Sequence, residues 1–158
     1  MHFDEVVELL VETIRRAQLV LPEDVRAAIR RAYAAESHTP SKRCLEAILK
    51  NIEIAEAKGV PMCQDTGIPV FYVTNPYEEC EKDIIDGVRE ATERIPLRQN
   101  VVNPFTRKNT NNNTGVGIPH IYYRYTADPF TEITVLCKGS GSENMSSMVM
   151  MNPRARFK

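Results

Sequence analysis

Proline and glycine placement divides residues 3–59 into three helical stretches before any strand-forming run begins, and this constrains the fold more than any other feature. In residues 3–21 the apolar side chains Phe3, Val6, Val7, Leu10, Val11, Ile14 and Ala17 recur at helical spacing, with Glu8, Glu12, Arg15 and Arg16 on the opposite face. Pro22 followed by Glu23 and Asp24 suits a second helix start. Proline gives up an amide that is unpaired there anyway, and the acids complement the helix dipole. Val25, Ala28, Ile29, Ala32 and Tyr33 carry that helix onward. Thr39-Pro40 repeats the device with Thr39 as the expected N-cap. The series Cys44, Leu45, Ile48, Leu49, Ile52 and Ala55 then runs to Gly59, which fits a C-terminal stop.

Past Pro61 the pattern changes. Residues 68–73 form a short β-rich run ended by Asn75-Pro76. Ile84, Ile85, Val88, Ala91 and Ile95 then define a fourth helix closed by Pro96. Residues 99–115 are polar and irregular around an Asn- and Thr-rich centre at 109–115, a pattern that fits either a loop or a hydrogen-bonding wall. Two more β-rich runs, 118–125 and 133–137, are separated by Asp128-Pro129 and are expected to pair as an antiparallel hairpin. Without a repeat or a biased linker, the expectation is one α+β domain over residues 1–158: N-terminal helices, then a mixed or antiparallel sheet with an additional helix.

Twenty basic residues against twenty-one acidic ones leave almost no net field, so nothing draws nucleic acid or an anionic membrane to the chain as a whole. No apolar stretch approaches the roughly 20 residues that span a bilayer, and the first residues lack the pattern of a signal peptide. The cytoplasm is the expected compartment. Cys44, Cys63, Cys80 and Cys137 are widely spaced, with no C-x-x-C pair, and are expected to be reduced. Cys44 falls on the apolar face of the third helix, Cys80 in an acidic, surface-like segment and Cys137 in a strand. These three read as structural or incidental. His38 and His120 have no sequence partner at metal-ligand spacing.

The densest chemistry lies in Cys63-Gln64-Asp65-Thr66-Gly67, at a helix-to-strand junction. A thiolate suits iron-sulfur clusters, zinc or copper, a carboxylate can move a proton, and an amide can hold a substrate carboxylate. The same residues also suit a buried cysteine followed by a turn in which Asp65 and Thr66 bond their own backbone. Further on, Lys138-Gly139-Ser140-Gly141-Ser142-Glu143-Asn144 offers backbone amides that can cradle an anion beside a helix start near Glu143. It lacks the full phosphate-loop pattern, so nucleotide binding is a poor reading.

Taken in order, the segment Lys58-Gly59-Val60-Pro61-Met62 leading into the Cys63 motif, the pair Leu97-Arg98, the Asn/Thr stretch and the loop at 138–144 resemble the alpha region of class I, iron-sulfur-dependent fumarases and tartrate dehydratases. The resemblance implies a hydro-lyase that interconverts fumarate and malate, or dehydrates tartrate, at a 4Fe-4S cluster held by three cysteines, with the open iron acting as a Lewis acid. It implies that Cys63 is one cluster ligand and that Gln64, Asp65, Arg98 and Gly141 contact substrate, Asp65 also transferring a proton. Arg98 would grip a substrate carboxylate through parallel hydrogen bonds.

The resemblance further implies that the other two cluster cysteines belong to sequence downstream of the Gly-Ser-Gly loop. The catalytic base would come from a beta subunit or domain. Residues 154–158 do not continue the family pattern, so the chain is expected to be a truncated or frame-shifted N-terminal part of the alpha domain, inactive alone and without an intact cluster. Exposed apolar surface would favour a homo-oligomer. The alternative is a non-catalytic scaffold or interaction domain that has lost the cluster.

Overall fold

The computed structural model describes residues 3–139, 141 and 146–152. The expectations for Ser140, Ser142, Glu143 and Asn144, and for residues 154–158, lie outside the described residues. The described elements are α1 (Phe3–Leu19), α2 (Glu23–Ala35), α3 (Thr39–Lys58), β1 (Ile68–Thr74), α4 (Cys80–Arg94), β2 (His120–Arg124) and β3 (Glu132–Lys138). The architecture is α+β, as expected.

The apolar stripe of α1 and that of α4 meet over one face of the sheet. Val6, Val7, Leu10, Val11, Ile14 and Leu19 pack with Ile84, Val88, Ala91 and Ile95 and with Phe71 and Val73 of β1. Phe71 and Ile84 are 0% exposed, and this contiguous cluster supplies the hydrophobic driving force for the fold. The opposite sheet face is open, with Tyr72 stacked on Tyr122 at 5.4 Å between ring centroids.

The proline boundaries are where the sequence put them. Pro22 is the N-cap residue of α2, and α2 carries Glu23 and Asp24 in its first turn. Gly59 closes α3 in the left-handed conformation, its N–H donating to Ala55 O and Glu56 O. The N-cap of α3 is a correction: His38, not Thr39, holds that position, and Thr39 is already helical. His38 Nδ1 lies 3.0 Å from Ser41 Oγ, which anchors the residue at the start of the first turn. The αα-hairpin of α2 and α3 sits outside the main apolar cluster, and only Ile52 and Ala55 of α3 are buried. No residue of α2 is buried, and Arg26 Nη2 donates to Glu56 Oε2 at 2.8 Å across the pair.

The expected β2–β3 hairpin does not form. The sheet order is β2-β1-β3, with β1 parallel to β2 and antiparallel to β3, so β1 separates the two strands. The physical reason is Asn75, which follows β1 with φ 51. Its side-chain Nδ2 donates to Thr126 Oγ1 at 2.9 Å and to Asp128 O at 2.8 Å, and its Oδ1 accepts from Thr126 N at 2.7 Å. Thr131 Oγ1 donates to the Asn75 carbonyl at 2.6 Å. The connection between β2 and β3 is thereby pinned across the end of β1, and the chain comes down on its far side.

One cysteine expectation is also corrected. Cys80 is 1% exposed and belongs to the core, because α4 places it on the same face as Ile84, Val88 and Ala91 despite its acidic neighbours. Cys44 is exposed, since the outer part of the apolar face of α3 is not covered.

Candidate functional site

Beyond Gly59 the chain leaves α3 without regular structure, and the turn is tied back by Asn51 Nδ2, which donates to Met62 O at 2.8 Å. The Cys63 motif then enters β1 through Gly67. Its φ is +72, and a Cβ there would lie 2.2 Å from Lys138 O, so both the conformation and the close approach of β3 require glycine.

Asp65 lies at the junction of the motif and the glycine loop. Its Oδ1 accepts from Gly67 N at 3.1 Å, a bond to its own local backbone. Its Oδ2 accepts from Gly141 N at 3.3 Å, and a Cβ on Gly139 would lie 3.2 Å from the same oxygen. The structure thus brings Asp65 and Gly141 together.

Thr66 does not bond its own backbone. Its Oγ1 accepts from Arg98 N at 3.0 Å and donates to Arg98 O at 3.3 Å, while its carbonyl accepts from Gln18 Nε2 at 2.6 Å. Asn113, with φ 56, closes the other side: Asn100 N donates to its Oδ1 at 2.8 Å, and its Nδ2 donates to Arg98 O at 3.1 Å and to Thr92 Oγ1 at 3.3 Å. Asn100 Nδ2 completes the wall by donating to Gly67 O at 3.1 Å. Thr66, Thr92 and Asn113 are all buried, and their side-chain polar groups find partners in one another or in nearby backbone. Of the two readings open for residues 99–115, the hydrogen-bonding wall is the one that holds at Asn100 and Asn113. Nothing in the sequence beyond the Asn/Thr clustering marked those two positions.

In front of this wall lies an open cleft of about 650 Å³ lined by Cys63, Gln64, Thr66, Leu97, Arg98 and Met62, among others. Cys63, Gln64 and Arg98 are exposed in it. The Arg98 guanidinium makes no ion pair with the described residues. The cleft therefore presents a thiol, an amide and a cation to a ligand, on backbone that the wall holds still. Asp65 and Gly141 do not line it. They lie beside it, joined to it through Gly67 and Thr66.

The other cysteines are not part of the cleft. Burial raises the pKa of the Cys80 thiol, helped by the charge of Asp83, and burial raises that of Cys137 although Gln18 opposes it by hydrogen bonding. Among the described residues no group of three or more His, Cys, Asp or Glu side chains is arranged to hold a metal ion. One exposed thiol in the cleft does not make a cluster site, which needs several thiolates.

Helices over a small mixed sheet thus gather a cysteine motif, an exposed arginine and a glycine amide bound to a carboxylate at one end of the sheet. Residues 7–158 match the family model described as fumarate hydratase (Fumerase). The chain belongs to the fumarate hydratase family. It is 40% identical to the "Putative L(+)-tartrate dehydratase subunit alpha" of Methanocaldococcus jannaschii, a match that covers 94% of this chain and 55% of the relative. It is 31% identical to the "Putative fumarate hydratase class I" of Geobacillus stearothermophilus, over 90% of this chain and 28% of the relative. With the L(+)-tartrate dehydratase subunit alpha of Escherichia coli strain K12 the identity is 28%, over 87% of this chain and 48% of the relative. The chain thus spans about half the length, or less, of the curated relatives it matches.

Proposed function

We propose that this chain is part of a hydro-lyase that interconverts fumarate and malate by reversible hydration, and that its contribution is the substrate-gripping half of the site. The observation that carries this reading is the convergence of Cys63, Gln64 and Arg98 in one cleft, with Asp65 and Gly141 bound to each other beside it. A dicarboxylate has two planar anionic ends. The Arg98 guanidinium meets one end through two parallel N–H donors, and the Gln64 amide donates to the other end or to the hydroxyl of the hydroxyacid. Hydration of the double bond adds hydroxide to one carbon and a proton to the next. Asp65, whose carboxylate is fixed by the Gly67 and Gly141 amides, is the proton-transfer residue on this reading.

Cys63 is assigned as one thiolate of a 4Fe-4S cluster whose remaining ligands come from other parts of the complete enzyme, along with a beta subunit or domain and a homo-oligomeric assembly. A cytoplasmic setting agrees with four free thiols. Tartrate is the second reading, favoured by the names of the relatives from Methanocaldococcus jannaschii and Escherichia coli.

The test is Arg98→Ala in the complete enzyme, assayed in parallel on malate, fumarate and L-tartrate. Loss of one bidentate carboxylate contact is expected to raise KM about a hundredfold or more for the acid the enzyme uses. A KM within twofold of the unmodified enzyme on all three acids would remove Arg98 from the site and the reading with it.

A further inference from the structure

Residues 98–100 carry Arg98 into the cleft, yet the segment belongs to no sheet, and the backbone bonds described for it all go to side chains. Arg98 N donates to Thr66 Oγ1, and Arg98 O accepts from Asn113 Nδ2 and Thr66 Oγ1. Gln99 O accepts from Asn109 Nδ2 at 2.7 Å, and Asn100 N donates to Asn113 Oδ1. A strand partner would offer alternating carbonyls and amides at these places. Here the hydroxyl of Thr66 serves one flank and the amide of Asn113 the other, both from side chains that are 5% and 3% exposed.

We propose that Thr66 and Asn113 are positioning residues for Arg98: together they replace a strand partner and fix the direction in which the guanidinium enters the cleft. This rests on the reading that Arg98 grips a substrate carboxylate. Neither residue lines up to touch substrate through these groups, because the hydroxyl and the amide are already spent on backbone. Their effect on the ligand passes through Arg98, and misplacement of a gripping group by about 1 Å costs on the order of a hundredfold in rate or affinity. The hydroxyl, not the packing volume, is what matters at Thr66, since only an oxygen can accept from Arg98 N.

The experiment compares Thr66→Val, which keeps shape and removes the hydroxyl, with Thr66→Ser, which keeps the hydroxyl and removes a methyl. Each is made in the complete enzyme, alone and combined with Arg98→Ala. Steady-state KM and kcat are measured together with amide hydrogen exchange over residues 97–100. The expected result is that Thr66→Val raises KM about tenfold or more with kcat changed by less than about threefold, and speeds exchange about tenfold. Thr66→Ser is expected to stay near the unmodified enzyme in both. On the Arg98→Ala background Thr66→Val is expected to add nothing to KM, because the two act as one unit.

A packing role gives the reverse order, with serine worse than valine, and that order overturns the proposal. If Arg98→Ala raises KM but Thr66→Val changes neither KM nor exchange, the positioning role alone falls. If exchange changes as expected while Arg98→Ala leaves KM unchanged, it is the carboxylate-gripping reading that fails, and the positioning role falls as its consequence. Should Thr66→Val not fold, Thr66→Ala carries the same comparison with Thr66→Ser: it also removes the hydroxyl that accepts from Arg98 N and puts no bulk in its place.

Discussion

The two sides of the cleft are built on opposite terms. Its back is Thr66, which lines it, with Thr92 and Asn113 behind; all three are buried, and they bond one another or the backbone of residues 98–100. Its rim, Cys63, Gln64 and the Arg98 side chain, is exposed and offers its polar groups outward. Arg98 belongs to both: its backbone is wall and its side chain is rim. The difference shows where order comes from in a site whose reactive groups are solvent-facing. The rim does not hold itself, and the precision of any contact it makes is set by polar groups that never meet the ligand.

The wall is broken most severely at Gly67, where β1, the Cys63 motif and the end of β3 meet. Gly67→Ala sets a Cβ 2.2 Å from Lys138 O in a residue with φ +72, so backbone must move. The expected loss is about 3 to 5 kcal/mol, read as a fall in the urea midpoint at unchanged slope. Gly117→Ala is the control. It shares a left-handed φ of +70 but meets nothing within 4 Å, and should lose only about 1 to 2 kcal/mol. Equal losses at the two positions would mean that the junction is slack and the wall less rigid than its hydrogen bonds imply.

The same contrast explains what the sequence made legible. Helix boundaries were readable because Pro22, Pro40 and Gly59 act locally, through their own φ and their missing or freed groups. Cys63 and Gln64 were singled out because rim residues show their chemistry in their identity, whereas Arg98 was singled out only through the family resemblance. The wall was not readable, because an Asn such as Asn113 looks like a turn residue until the chain brings Arg98 and Thr92 against it. Strand order failed for the same reason: Asn75 decides it through bonds to Thr126 and Thr131, far along the chain. Cys80 was a missed local signal. Its spacing to Ile84, Val88 and Ala91 is helical, and of the acidic residues that follow it Glu81 is exposed while Asp83 is buried on its own face.

The thiols sharpen the comparison at a smaller scale. Cys80 and Cys137 have raised native pKa values through burial, above the ordinary 9.0. Below 9.0 both folded and unfolded chains keep these protons, and the thiols leave stability unchanged. Above it the unfolded chain releases protons that the native one retains, so stability falls as pH climbs, until the native values are also passed. The expected slope is up to about 1.4 kcal/mol per pH unit for each thiol, measured as unfolding midpoints between pH 8 and 11. Tyr77, raised by burial and by its hydrogen bond to Asp83, pulls in the same direction at higher pH. Replacing both thiols by alanine should flatten the lower part of that profile, and a slope that survives the replacement would place its origin elsewhere.

The smallest effect on stability is expected at the rim itself. Cys63 is exposed and gives the core nothing, so Cys63→Ser should shift unfolding by less than about 0.5 kcal/mol. On the hydro-lyase reading the same substitution removes one thiolate from the cluster of the complete enzyme, and the iron-sulfur absorbance after anaerobic reconstitution should fall with the hydration rate. A scaffold that had lost the cluster would show neither change. Chain stability untouched while cluster content and turnover collapse together is therefore the pattern that separates a functional rim from a structural wall. A stability loss of several kcal/mol at Cys63 would erase that distinction, because the thiol would then be part of what holds the site and not part of what the site presents.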